Sequence, residues 1–158
     1  MPEHSLSQTT VSEIRNLIVE KPSLIKKNAV LNEIIAAIVK DPRSRHAYVV
    51  DDTGKLLGSI RLNSIIECMF PFSAFETEID VNSDTLFQFK QSILAMDIMN
   101  KQPIHVYETT TIPEIVKIMV KEKINELPVV DQSLHVIGEV NFLEIMIEFL
   151  KIENNREK

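Results

Sequence analysis

The chain has 158 residues, 44% apolar and 25% charged, the balance of an ordinary globular protein large enough to bury roughly 70% of its unfolded surface. Its net charge of −6 argues against non-specific binding to nucleic acid or anionic lipid. No apolar run reaches membrane-span length, Met1 to Ser12 lacks the apolar core of a secretory leader, and the single cysteine, Cys68, cannot close an internal disulfide. The expectation is a cytoplasmic protein with no direct membrane insertion.

In chain order, residues 1–10 are polar and expected to be a flexible N-terminus. Thr10 to Glu13 reads as a capping box opening a short helix, with Val11, Ile14, Leu17 and Ile18 on one face and Pro22 ending it. Ser23 to Lys26 reads as extended. Leu31, Ile34, Ile35, Ile38 and Val39 then form a helical stripe. Ala47 to Asp51 is a short apolar run, Asp52 to Lys55 a polar break, and Leu56 to Ile60 a second run around Gly58. Leu62, Ile65, Ile66, Met69 and Phe70 return to helical spacing.

The same order appears again about eighty residues later. Ile104 to Tyr107 follows Pro103 as Ser23 to Lys26 follows Pro22. Ile112, Ile115, Val116, Met119 and Val120 repeat the first stripe. Leu127 to Val130, the break Asp131 to Leu134, and Val136 to Val140 around Gly138 repeat the paired runs. Phe142, Ile145, Met146, Phe149 and Leu150 repeat the last helix. The spacing predicts a tandem duplication of strand, helix, strand, strand, helix: 11–70 as repeat 1, 91–151 as repeat 2, and 152–158 as a polar tail.

Within this duplication, AMDIMN (Ala95 to Asn100), NELPVVD (Asn125 to Asp131), GEVNFLEIM (Gly138 to Met146) and AYVVDDTGKLLGSI (Ala47 to Ile60) closely resemble the CBS (cystathionine-β-synthase-type) domain. The resemblance covers most of the chain from about Thr10 to Leu150, as a tandem pair or Bateman module. It implies an α/β fold with pseudo-twofold symmetry, each repeat a three-stranded mixed sheet with two helices on one face, and a homodimer formed through the helices. It also implies a stand-alone regulatory module that binds AMP, ADP, ATP or S-adenosylmethionine in the inter-repeat cleft. Such a module signals to a client enzyme or transporter by conformational shift.

Nothing in the residues points to catalysis. Three glycines leave no phosphate-binding loop, and His4, His46, His105 and His135 show no metal-ligand spacing. The resemblance instead directs attention to the turn before each repeat's last helix, where family members commonly carry a hydroxyl residue and, three positions on, an acid for the ribose. In repeat 2 these positions hold Asn141 and Glu144, which also make a good N-cap and N3 pair for the helix. In repeat 1 they hold Arg61 and Ser64. Arg61 reads either as a hydrated surface cation or as a phosphate ligand, since a cation at a helix start opposes the helix dipole unless an anion joins it. By the same resemblance the remaining ligand contacts map to Ser23, Leu24, His46, Ala47 and Tyr48 in repeat 1. In repeat 2 they map to Ile104, His105, Glu126, Leu127 and Pro128.

Residues 71–90 form an insertion or linker with no repeat counterpart. Phe70, Phe72, Phe75, Phe87 and Phe89 are five of the chain's seven phenylalanines. They read as aromatics buried against the module or as an interaction surface, which would make the chain a ligand-free scaffold. Glu76, Glu78, Asp80 and Asp84 in the same stretch suggest a divalent-cation-responsive module as a further alternative.

Overall fold

The computed structural model describes residues 5–69 and 93–157. The Phe-rich stretch with its four acids, and the first four residues, lie outside the described residues. In chain order the elements are α1 (Val11–Ile14), β1 (Leu24–Lys26), α2 (Leu31–Lys40), β2 (His46–Val50), β3 (Leu56–Arg61) and α3 (Leu62–Met69). After the undescribed stretch come α4 (Ala95–Ile98), β4 (Val106–Tyr107), α5 (Ile112–Glu122), β5 (Glu126–Val130), β6 (Val136–Asn141) and α6 (Phe142–Arg156). The expected α/β architecture is present. Two three-stranded sheets have the orders β1-β2-β3 and β4-β5-β6, each with one parallel and one antiparallel pair.

The chain divides into two compact units, a central one from Ser23 to Pro103 and a terminal one made of Met1–Pro22 with Ile104–Lys158. Each unit therefore draws its short opening helix from the far side of the duplication. In the terminal unit Val11 and Ile14 of α1 enter a core with Ile115, Leu127, Val129 and Val140. In the central unit Ala95 of α4 joins Ile34, Val49 and Ile60. The two junctions match, through isolated bridges Thr10 to Thr111 and Val30 to Leu94. Each fully buried aliphatic side chain contributes roughly 1.5–3 kcal/mol of transfer free energy, which is what holds these very short helices in place.

Every described helix start except that of α3 shares one device. The acid at N3 accepts the N-cap N–H in α1 (Glu13 to Thr10, 2.7 Å), α2 (Glu33 to Val30, 2.8 Å) and α4 (Asp97 to Leu94, 2.9 Å). Glu114 to Thr111 in α5 (2.8 Å) and Glu144 to Asn141 in α6 (2.9 Å) do the same. An orphan donor is thereby satisfied and negative charge is placed at the positive end of the helix.

The hairpins also match. Asp51 caps its turn by accepting from the N–H groups of Thr53 (2.8 Å) and Lys55 (3.0 Å), and Asp131 accepts from those of Ser133 (2.9 Å) and His135 (2.9 Å). The register slips at Val49/Val50 in one sheet and at Val129/Val130 in the other. The two strand glycines are needed for close approach. A Cβ on Gly58 would lie 2.5 Å from Met99 Sδ and 2.9 Å from the Asn100 carbonyl oxygen. A Cβ on Gly138 would meet Arg15 Nη1 at 3.0 Å.

The first helix is shorter than its apolar stripe predicts. It stops at Ile14, Arg15 is extended, and Asn16 turns into the left-handed region with φ 70°. Leu17 and Ile18 leave the helix because their N–H groups are taken by Glu144, 127 and 126 residues away in sequence, and Pro22 plays no part in ending it.

Candidate functional site

In the central unit the sheet gathers the expected residues at one end. The β2–β3 register sets His46 opposite Arg61 and Ala47 opposite Ile60, and the Tyr48 N–H donates to the Ser23 carbonyl at 2.8 Å. The His46 and Tyr48 rings lie on one side of β2, stacked with centroids 6.1 Å apart. Arg61 closes β3, α3 begins at the next residue, and Ser64 sits in its first turn. Among the described residues the Arg61 side chain makes no hydrogen bond or ion pair. Ser23 has a structural role, its hydroxyl donating to the Ala37 carbonyl at 2.9 Å. Leu24, the register partner of Tyr48, is exposed and lines a groove of about 730 Å³ with Lys26, Val50, Asp52 and Gly54. The last three belong to the hairpin end of the sheet, away from His46 and Arg61.

The terminal unit has the same frame with different chemistry. Glu126 pairs with Asn141, Leu127 with Val140 and Pro128 with Glu139. Pro128 occupies the position of Tyr48 and has no N–H to give, so the Ile104 carbonyl lacks the bond that the Ser23 carbonyl receives. Strand β4 accordingly pairs only at Val106 and Tyr107, where β1 pairs over three residues. His105, just before β4, packs edge-on against Tyr107 with ring centroids 5.5 Å apart, and its Nε2 lies 3.4 Å from the Tyr107 hydroxyl.

At the start of α6 the Asn141 side chain accepts from Leu143 N–H at 3.0 Å. The Glu144 side chain is fully buried. Its Oε1 accepts from Asn141 N–H at 2.9 Å, and its Oε2 from Leu17 N–H at 2.7 Å and Ile18 N–H at 3.4 Å. Burial pushes the carboxyl pKa upward in spite of these three donors. The capping role expected of Asn141 and Glu144 is therefore filled, and the Glu144 oxygens are engaged by the chain's own backbone.

The CBS-domain family model matches residues 95–151. A CBS domain-containing protein (tm0935) from Thermotoga maritima is 29% identical, with 91% of this chain and 96% of that one covered and a TM-score of 0.71. The CBS-domain pair of protein MJ0100, solved in complex with 5′-methylthioadenosine and S-adenosyl-L-methionine, is 25% identical over 89% of this chain and 99% of that one, with a TM-score of 0.66. CBSX2 from Arabidopsis thaliana, a CBS-pair protein, shares the fold at 18% identity, with a TM-score of 0.74 over 92% of this chain and 96% of that one. The chain has the fold of a CBS-domain pair.

A curated relative from Thermofilum pendens, an uncharacterised 33.4 kDa protein in a ribosomal RNA operon, is 25% identical over 114 residues. The match spans 72% of this chain but only 37% of that relative. No helix among the described residues is long and apolar enough to cross a membrane. The same residues hold no group of three or more His, Cys, Asp or Glu side chains placed to bind a metal ion.

Sequence reading of the repeats missed Leu17 and Ile18 as partners of Glu144. The signal available was Asn16, a residue type that tolerates the left-handed turn and breaks an otherwise helical stripe. Arg15 was missed as well. Its guanidinium pairs with Glu108 (Nη2 to Oε1 2.6 Å) and donates to the Ile137 carbonyl at 3.2 Å, laying the segment after α1 across Gly138.

Proposed function

We propose that this CBS-domain pair is a regulatory module that takes up an adenosyl ligand (AMP, ADP, ATP or S-adenosylmethionine) and performs no covalent chemistry. The observation that carries this reading is Arg61. It is a guanidinium without a hydrogen-bonding or ionic partner among the described residues, at the last position of β3, opposite His46 and immediately before α3. A helix N-terminus disfavours a lone cation and favours an anion, so Arg61 and the positive end of α3 together suit a phosphate. The MJ0100 pair, whose complex holds two adenosyl compounds, supports the nucleoside part of the reading.

The signal would pass to a client protein by population shift, the ligand favouring the arrangement for which it has the higher affinity. We further propose a homodimer. Val39 on α2, Val120 on α5, and Met146, Phe149 and Leu150 on α6 are exposed, with Val39 at 68% and Val120 at 73%. Apolar helix residues this open to water suit a partner surface. The same residues favour the second reading, a ligand-free interaction module.

Thermal unfolding with each of the four ligands separates the two readings. A ligand at a hundred times its Kd stabilises a binding protein by about 2.7 kcal/mol, which corresponds to roughly 5–10 °C for a chain of this length. No shift with any of the four would leave the interaction module as the better reading.

A further inference from the structure

Glu144 has the position of a ribose acid in the terminal unit, yet its oxygens are already in use. Leu17 and Ile18 direct their N–H groups at Oε2, Asn141 directs its own at Oε1, and the side chain is 0% exposed. A ribose diol would donate its two hydroxyls to those same oxygens, so diol and backbone compete for one acceptor. The competing segment is held by a local distortion. Asn16, exposed and at φ 70°, turns the backbone so that successive N–H groups converge on the carboxylate.

The central unit has no such arrangement. There the residues after α4 bridge to β3 instead, with Asn100 N–H donating to the Ser59 carbonyl at 2.8 Å, and Ser64 stands in place of the acid. The segment is also longer in the terminal unit. Eleven residues separate the N-cap Thr10 from Pro22, whereas eight separate the N-cap Leu94 from Pro103.

We propose that the Leu17–Ile18 backbone is a latch on the terminal unit's adenosyl site. Ribose engages Glu144 only when the latch leaves it, so ligand in this unit is coupled to release of the segment that follows α1. The central unit, with Arg61 and no acid, is open to ligand without any such step. The proposal rests on the adenosyl-ligand reading and adds the regulation of one of its two sites.

The test follows backbone amides by NMR while AMP is added to the full chain and to Asn16→Val. A β-branched residue disfavours the left-handed turn and so weakens the latch without touching Glu144. Leu62 reports on the central unit, and Asn141 and Leu143 on the terminal one. The latch requires that, in the wild-type chain, hydrogen exchange at Leu17 accelerates as the Asn141 and Leu143 shifts saturate. It also requires that Asn16→Val tightens the terminal site by about fivefold or more.

A Leu17 amide that stays protected at saturation, an unchanged affinity in Asn16→Val, or a Leu62 response with none at Leu143 in the variant would each overturn the latch. Failure of the underlying reading looks different. In that case neither Leu62 nor Leu143 responds to AMP or to S-adenosylmethionine in either chain, and the latch falls with it.

Discussion

Leu134 occupies the left-handed turn position in the terminal hairpin that Gly54 occupies in the central one, with φ 66° against 91°. Glycine adopts this conformation freely, whereas a leucine there costs about 1–2 kcal/mol. Leu134→Gly gives back part of that gain through the greater freedom of the unfolded chain and the loss of a half-buried side chain. The expected net effect is a stabilisation of roughly 0.5–1 kcal/mol, visible as a higher urea midpoint with an unchanged slope. A lower midpoint would mean that the side chain's burial outweighs the backbone strain.

Gly58 and Gly138 are equivalent in the duplication but not in what crosses them. At Gly58 the obstruction includes the Asn100 backbone carbonyl, which accepts from Ser59 N–H at 3.2 Å while Asn100 N–H donates to the Ser59 carbonyl at 2.8 Å. Overpacking against such a neighbour costs typically 1–3 kcal/mol, so Gly58→Ala lowers stability by about that amount. At Gly138 the nearest atom is the end of the Arg15 side chain, which can move. Gly138→Ala therefore costs less, under about 1 kcal/mol. Equal losses in paired denaturation curves would contradict this difference.

Two carboxylates set opposite pH dependences. Burial raises the Glu144 pKa above its usual 4.5, so the folded chain holds that proton more tightly than the unfolded one. The stability it contributes is complete below pH 4.5 and is lost as the pH rises through the folded pKa. Wild type should accordingly lose stability relative to Glu144→Gln between pH 4.5 and 7; a relative gain would refute the burial argument.

Asp51 behaves in the other sense. The Thr53 hydroxyl, first, and the Lys55 N–H lower its pKa to about 2. Its contribution is present above the unfolded value of 3.8 and disappears as the pH falls towards 2. A carboxyl-carbon NMR titration of Asp51 with a midpoint near 4 would show that the turn bonds are not formed in solution.

The exposed helix residues predict self-association. Val120→Asp and Phe149→Asp, each at a surface position where the substitution leaves the core intact, should convert a dimer to monomers in sedimentation equilibrium. A wild-type chain that sediments as a monomer at high micromolar concentration would remove the dimer from the proposal.

The repeating apolar spacing made the duplication and the two sheets legible, because period-2 and period-3.6 patterns report directly on which residues face a core. The exchange of opening helices was not legible. Val11 and Ala95 look equally apolar whichever sheet they cover, and only the three-dimensional bridges at Thr10 and Val30 decide the matter. The end of α1 was misread for a related reason. Leu17 and Ile18 continue the stripe perfectly well, and what turns them out of the helix is a carboxylate 127 residues away from Leu17.

In the candidate site, the family resemblance directed attention to Arg61 and Glu144 but could not show that the first has no side-chain partner among the described residues and that the second is already engaged by backbone N–H groups. Pro128 is the exception. A proline inside a middle strand announces a missing ladder bond, and the structure shows it as a shorter β4.

The central claim is that a phosphate-bearing adenosyl ligand meets Arg61, and isothermal titration of wild type and Arg61→Ala with AMP, ADP, ATP and S-adenosylmethionine tests it most directly. A hydrogen bond to a charged group contributes about 1.5–3 kcal/mol, so Arg61→Ala should weaken a bound nucleotide by at least about tenfold. The loss should grow from AMP to ATP and be smallest for S-adenosylmethionine, which carries no phosphate. Equal affinities of wild type and Arg61→Ala for all four, or no binding of any at millimolar concentration, would contradict the claim.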